Sequence, residues 1–475
     1  MTRCLFVVFA SSCIASIAMA EDGGPGAAGL AVLVDSGNDA TEALQAAADR
    51  AKGVLELPSG TLLIGRPIVI DLTKTGFRGV RGESGASRVI MNGSGPAFRV
   101  VGDHQGTADP NSVQEHTWEM ERFPVLSGFE ILGAHPEADG VELVRTMKCT
   151  IQNVLIRKCR FGVHLVERNR NFILADSHIY NGTDSGVFFD QCNLHQANII
   201  GNHISYNARA GIRQFNGDVH NIQITGNDIE YNSGSTESSG EIVLEAPDGI
   251  ISEYTIAGNT IQARPENAGA NILIVGSEAN TPHAARVLSI TGNVVGSRTE
   301  NVRMEHASRA TVTGNTIYGG VSLNVHLRYC QGVVIGDNSV GTRPTMHDSE
   351  SVYDDGVLYE VCKDCTLSGG ILSGMRYGKE AEGGAVTLRD CVNCRVSDLQ
   401  IVEPKVRGVH VIAGTGNTIS ATTIVQRDNP ELRAGISVGG SNQILQGNVF
   451  IGTLEKPIEM PEGTGISMNN TSLRP

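Results

Sequence analysis

The chain has 475 residues and a formal charge of −14, with 51 acidic residues against 37 basic. That balance argues against nucleic acid as a partner, and an anionic polymer would need a local basic patch or a bound cation to overcome the field. Glycine is frequent, at 57, while aromatic residues make up only 5 %, a composition suited to short strands and tight turns rather than helices.

The first twenty residues carry Arg3, an apolar run from Leu5 to Met19, and Ala18-Met19-Ala20 ahead of Glu21-Asp22. This is the layout of a secretory signal (residues 1–20) cleaved near Ala20, so the mature chain is expected to be secreted or periplasmic. The apolar run is too short for a membrane span, and no later segment qualifies as one. Residues 21–66 read as a cap with one short helix, and 67–475 as one elongated repetitive domain.

Thirteen times between Val125 and Ser467 the chain repeats an apolar residue, a five-residue step to a second apolar residue, and a loop ending in G-[VI]-x-[apolar]. The pairs are Leu126/Ile131, Ile151/Ile156, Leu174/Ile179, Ile199/Ile204, Ile224/Ile229, Ile256/Ile261, Ile290/Val295, Val312/Ile317, Ile335/Val340, Leu367/Leu372, Val396/Ile401, Ile419/Ile424 and Leu445/Phe450. Successive pairs lie 22 to 34 residues apart, the period range of solenoids. Three short strands per unit and a Gly-Asn corner inside the five-residue step predict a single-chain, all-β, right-handed parallel β-helix of about 13 coils. Glycine at that corner accepts left-handed backbone angles, and stacked asparagines can hydrogen-bond from coil to coil. The third strand is anchored at Val141, Val163, Val187, Ile212, Ile242, Ile272, Val302, Val325, Val357, Val386, Val409, Ile436 and Ile466.

These units resemble those of the pectin-lyase-like superfamily of right-handed β-helices. The head, Asp35-Ser36-Gly37-Asn38-Asp39-Ala40-Thr41-Glu42-Ala43-Leu44 followed by Leu57-Pro58-Ser59-Gly60-Thr61, is similar to the segment in which that superfamily folds an amphipathic helix over the open end of the stack. The resemblance implies a substrate lying along the third-strand sheet. It is silent on chemistry, because the superfamily holds lyases, hydrolases, epimerases and non-catalytic adhesins.

Alternation along the third strand sends the positions one and three residues past each anchor to solvent. In stacking order these are His164, Phe188 with Asp190, Arg213 with Phe215, Glu245, then an apolar gap at Leu273 and Val275, and finally Arg303 with Glu305, His326 with Arg328, Glu360, and Arg389. The last group is the densest ionisable cluster. Arg303 and Arg389 are candidates for binding the carboxylates of a uronate polymer, together with Asp354 and Asp355. Glu305, His326, Arg328 and Glu360 are candidates for catalysis. Glu305 and Glu360, two coils apart, would stand ~10 Å apart at their α-carbons, as an acid–base pair for inverting hydrolysis. Alternatively, His326 would abstract a proton in β-elimination while arginines neutralise the uronate. The bland alternative is a solvated ladder of charges paired across coils.

The long loop from Gly341 to Gly356 carries His347, Asp348, Glu350, Tyr353, Asp354 and Asp355. Asp354-Asp355-Gly356-Val357-Leu358-Tyr359 is similar to the paired-aspartate strand of polygalacturonase-type hydrolases, although that family's Asn-Thr-Asp, Gly-His-Gly and Arg-Ile-Lys elements are absent. Loop carboxylates of this kind also suit Ca²⁺, so calcium is a candidate cofactor. Cys330, Cys362 and Cys391, and likewise Cys365 and Cys394, recur at fixed offsets in consecutive coils. Disulfides between coils are expected, ahead of a thiol stack and of a four-cysteine zinc site. Together these features describe an exported enzyme that cuts or epimerises an acidic polysaccharide, or a non-catalytic polysaccharide-binding or surface β-helix.

Overall fold

The computed structural model describes residues 30–106, 109–280, 284–341, 356–374, 383–427, 432–452 and 454–473. The signal-like start therefore lies outside the described residues, as do Asp354 and Asp355. Within the described residues the chain winds into a parallel β-helix whose second face is a continuous sheet of 16 strands, from Gly60–Ile64 to Thr471–Leu473. Two rungs thus precede the thirteen repeats and one follows them. Stacking starts at Val54–Glu56, upstream of residue 67.

The five-residue pairs set the register without a break. On the first face Leu126 stacks on Ile151, then Leu174, Ile199 and Ile224, and onward to Leu445. On the second, Ile131 leads through Ile156 and Ile179 to Phe450. These residues form one core cluster running the length of the stack. Each aliphatic side chain buried in it contributes roughly 1.5–3 kcal/mol before the entropy of ordering is subtracted.

On the third face the anchors stack as expected from Val141 to Ile436, with one correction at the end. Ile458 takes the final third-face position, paired with Ile436. Ile466 lies instead on the first face, against Ile444. The G-[VI] signature has a packing cause: a Cβ at Gly186 or Gly211 would come within 2.6 Å of the methyl of Ile204 or Ile229.

At the corner, Gly201, Gly226 and Gly258 have φ of 69°, 65° and 64°, the left-handed turn that favours glycine. The following asparagine points inward. Asn227 Nδ2 donates to Asn259 Oδ1 at 3.0 Å and to the Ile199 carbonyl at 2.9 Å. The same link joins Asn202, Asn227, Asn259, Asn293, Asn315 and Asn338 into one buried ladder, each bond worth about 1 kcal/mol net. At the other end the helix Thr41–Arg50 covers the first coil with Leu44 and Ala48. Its Gln45 side chain accepts from Val69 N–H at 2.8 Å and donates to Val69 C=O at 3.0 Å, blunting the strand edge.

Candidate functional site

Strand pairing brings the predicted third-face residues together. Arg303 stacks on His326, while Glu305, Arg328, Glu360 and Arg389 form the next column. The side chains join in one chain of ion pairs. Arg303 donates from Nε to Glu305 Oε1 at 2.6 Å, and its Nη1 lies 3.0 Å from Glu237. His326 Nδ1 is 3.2 Å from Glu300 Oε1, its Nε2 is 3.0 Å from Glu360 Oε2, and the other Glu360 oxygen accepts from Arg389 Nη1 at 2.6 Å. Arg328 stands apart, its guanidinium 4.9 Å from the Tyr329 ring.

The electrostatics follow from these partners. Burial disfavours a charged imidazole, but the hydrogen bonds to Glu300 and Glu360 outweigh it and raise the His326 pKa to about 9. The same contact, against the opposing cost of burial, drops Glu360 to about 2. Glu300, two residues before the Val302 anchor, is the member that reading outward positions misses. It sits at the start of the strand Glu300–Glu305 and reaches across to the neighbouring coil.

The arrangement recurs six rungs away in the same column. His164 Nδ1 lies 3.5 Å from Glu142 and Nε2 3.3 Å from Asp190, and its ring stacks 5.5 Å from Phe188, which Arg213 covers at 4.4 Å. Burial opposes the charge on His164, and the Asp190 and Glu142 contacts prevail and raise its pKa. Between the two histidines, Val243 and Leu273 form a buried patch with Ala210 and Ala270. The segment after Tyr231 reaches over this stretch, with Ser238 donating to Glu245 at 2.7 Å and Glu237 paired with Arg303.

The eight cysteines of the described residues are free thiols, which corrects the expected disulfides. Their side chains point into the core, where Cys362 donates to the Leu327 carbonyl at 3.5 Å, Cys391 to Tyr359 at 3.3 Å and Cys394 to Cys362 at 3.6 Å. Neighbouring thiols together with burial push Cys362 and Cys394 upward. Trp118 is half-exposed with Lys148 Nζ 4.0 Å over its ring.

A second surface escapes the third-face reading altogether. On the second face Tyr180, His203, Ser205, Tyr206, Asp228 and Glu230 line an open groove of 400 Å³. Tyr206 stacks on Tyr231 at 5.5 Å and His178 on His203 at 5.1 Å, while His203 Nδ1 lies 3.1 Å from Asp228. Its signal in the sequence is the recurrence of an aromatic residue just after the second anchor in consecutive units: Tyr180, Tyr206 and Tyr231. Elsewhere, the segment before Val125 gathers Asp103, His116 and Glu121, whose ligand atoms all lie within 4.8 Å of one another. Burial, with Asp103 alongside, pushes the Glu121 carboxyl up to about 8.

A profile of the family described as "Periplasmic copper-binding protein (NosD)" matches residues 126–271 and 252–471, nearly the whole repeat. The chain belongs to the NosD family. Among curated proteins, none matches this NosD-family chain. Among solved structures it is similar to the A-module of mannuronan C-5 epimerase AlgE6 from Azotobacter vinelandii, at 16 % identity over 92 % of this chain and 96 % of that one, with a TM-score of 0.43. The tailspike of E. coli bacteriophage HK620 gives 14 % identity over 92 % and 75 %, with a TM-score of 0.45. Bacteriophage phi29 gene product 12 gives 12 % over 91 % and 56 %, with a TM-score of 0.50. These likenesses concern the fold alone, a right-handed parallel β-helix. Among the described residues no helix is long and apolar enough to cross a membrane.

Proposed function

We propose that this NosD-family protein is an exported β-helix that binds a glycan without cleaving it. The observation that carries the reading is His326 held between Glu300 and Glu360. β-Elimination through His326 requires a neutral imidazole with a free nitrogen, yet both nitrogens are engaged and the ring stays protonated up to about pH 9. Inverting hydrolysis requires one protonated carboxyl in the pair Glu305 and Glu360. Glu360, at about 2, stays ionised, and Glu305 is bound to Arg303. The charged strip therefore acts as a ladder that ties coils together.

The glycan belongs in the second-face groove, where an exposed Tyr206 ring offers an apolar platform and Asp228, Glu230 and Ser205 offer hydrogen-bond partners for hydroxyls. Carboxylates lining the groove, on a chain of charge −14, favour a neutral or amine-bearing sugar over a uronate there. The family description, which names the periplasm, and the signal-like start at Met1–Ala20 both support export. Calorimetric titration with neutral, amino and uronate oligosaccharides tests this reading. Binding of a neutral or amino glycan, weakened at least tenfold by Tyr206→Ala, is expected; equal binding by that variant, or binding of uronates alone, contradicts it.

A further inference from the structure

The segment that links the strand Gly95–Val101 to the strand Val125–Ser127 carries three side chains that neither the ladder nor the groove uses. Asp103 Oδ2 is 2.8 Å from His116 Nδ1, and His116 Nδ1 is 4.0 Å from Glu121 Oε1. The Asp103 backbone N–H donates to that same Glu121 oxygen at 2.8 Å, and Thr117 Oγ1 donates to Asp103 Oδ1 at 2.5 Å. Glu121 is only 1 % exposed, and its Oε2 is buried with no hydrogen-bond partner. Backbone closes in beside that oxygen, for a Cβ placed on Gly102 would lie 2.8 Å from it.

A buried carboxylate with an orphaned oxygen is costly unless a proton or a cation neutralises it, and a cation also fills the oxygen's missing contact. Among the described residues the only basic group within 4 Å of either carboxylate is His116, so two acids share one imidazole. We propose that Asp103, His116 and Glu121 form a binding site for a divalent cation of borderline softness, such as Cu²⁺ or Zn²⁺.

One imidazole nitrogen with carboxylate oxygens is the donor set that such ions accept, whereas Ca²⁺ and Mg²⁺ prefer oxygen alone. Copper, which the family description names, fits this site as Cu²⁺. The soft donors Cu⁺ would select are sealed in the core, where Cys330, Cys362, Cys391 and Cys394 are at most 1 % exposed. Three ligands leave positions for water, and the ion would clip residues 103 and 121 together, closing the loop between them.

The test is titration of metal-stripped mature protein with Zn²⁺, Cu²⁺ and Ca²⁺, read by calorimetry and by thermal unfolding, on wild type, His116→Ala, Glu121→Gln and, as a control for the second-face histidines, His203→Ala. The half-exposed His116 gives a variant that keeps the fold, checked by its far-ultraviolet spectrum. The expected result is one equivalent of Zn²⁺ or Cu²⁺ with a raised unfolding temperature, weakened at least tenfold in His116→Ala and Glu121→Gln and unchanged in His203→Ala. No binding of either ion by wild type, equal binding by His116→Ala, a loss that follows His203, or a preference for Ca²⁺ would each overturn the assignment.

Discussion

His326 and Glu360 sit on adjacent rungs of the third face with Nε2 and Oε2 3.0 Å apart, and each holds the other in its charged form. The histidine would be a proton acceptor if it were alone. Flanked by two carboxylates it is instead the cation at the centre of a salt ladder.

The ladder predicts a pH window for stability. His326 is raised from 6.5 to about 9, so its contribution is complete below about pH 6.5 and is lost as pH rises through 9. Glu360 is lowered from 4.5 to about 2, so its contribution is present above 4.5 and is lost as pH falls through 2. The two shifts share the His326–Glu360 contact, which is therefore counted once, at about 1–3 kcal/mol. Urea midpoints across pH should fall on the alkaline side between 6.5 and 9, and His326→Gln should flatten that arm. An unchanged alkaline arm in the variant would show that the imidazolium is not what holds the coils.

A second buried ion pair lies inside the coil, where Arg298 Nη1 is 3.1 Å from Glu241 and both side chains are fully buried. Arg298 also donates to the carbonyls of Ala268 and Asn232. Arg298→Met leaves Glu241 charged or orphaned in the core, so a loss of about 3–5 kcal/mol is expected in urea unfolding. A loss below about 1 kcal/mol would mean that the site repacks around an uncharged Glu241.

The thiols give an independent check on the core. All eight thiols of the described residues are buried, so a thiol reagent should find nothing in the folded mature protein and all eight after denaturation. Reductant should leave the unfolding temperature where it is. A fall of several degrees on reduction would reveal bridges.

The sequence pattern carried most of the fold because an apolar pair at constant spacing dictates a constant register: every pair from Leu126/Ile131 to Leu445/Phe450 stacks as its spacing requires. It failed at Ile466, where Gly465-Ile466 imitates the third-strand signature while Pro457-Ile458 fills that place. The rungs before Leu126 lack the repeat's signature because the steps from Leu55 to Leu62 and from Val80 to Val89 are longer than the five residues that mark later units. Alternation placed Arg303, His326, Arg328, Glu360 and Arg389 on one wall correctly. It carried no information on who pairs with whom, because Glu300 reaches His326 from a position outside the outward set. Coil stacking brought the cysteines into contact, but the inward-facing thiols remain unbridged and also find carbonyl acceptors in the preceding coil. The aromatic groove was visible as a recurring tyrosine, yet it lay on a face the superfamily resemblance had not pointed to.

The most direct test of the account is an end-group assay: purified mature protein is incubated with a panel of glycans, including uronate polymers, with and without Ca²⁺, and new reducing ends and ultraviolet-absorbing unsaturated ends are counted alongside bound glycan. The account predicts glycan bound and no new ends, with His326→Gln altering pH stability but not binding. New ends from the wild type that disappear in His326→Gln would contradict it and restore the third-face residues to catalysis.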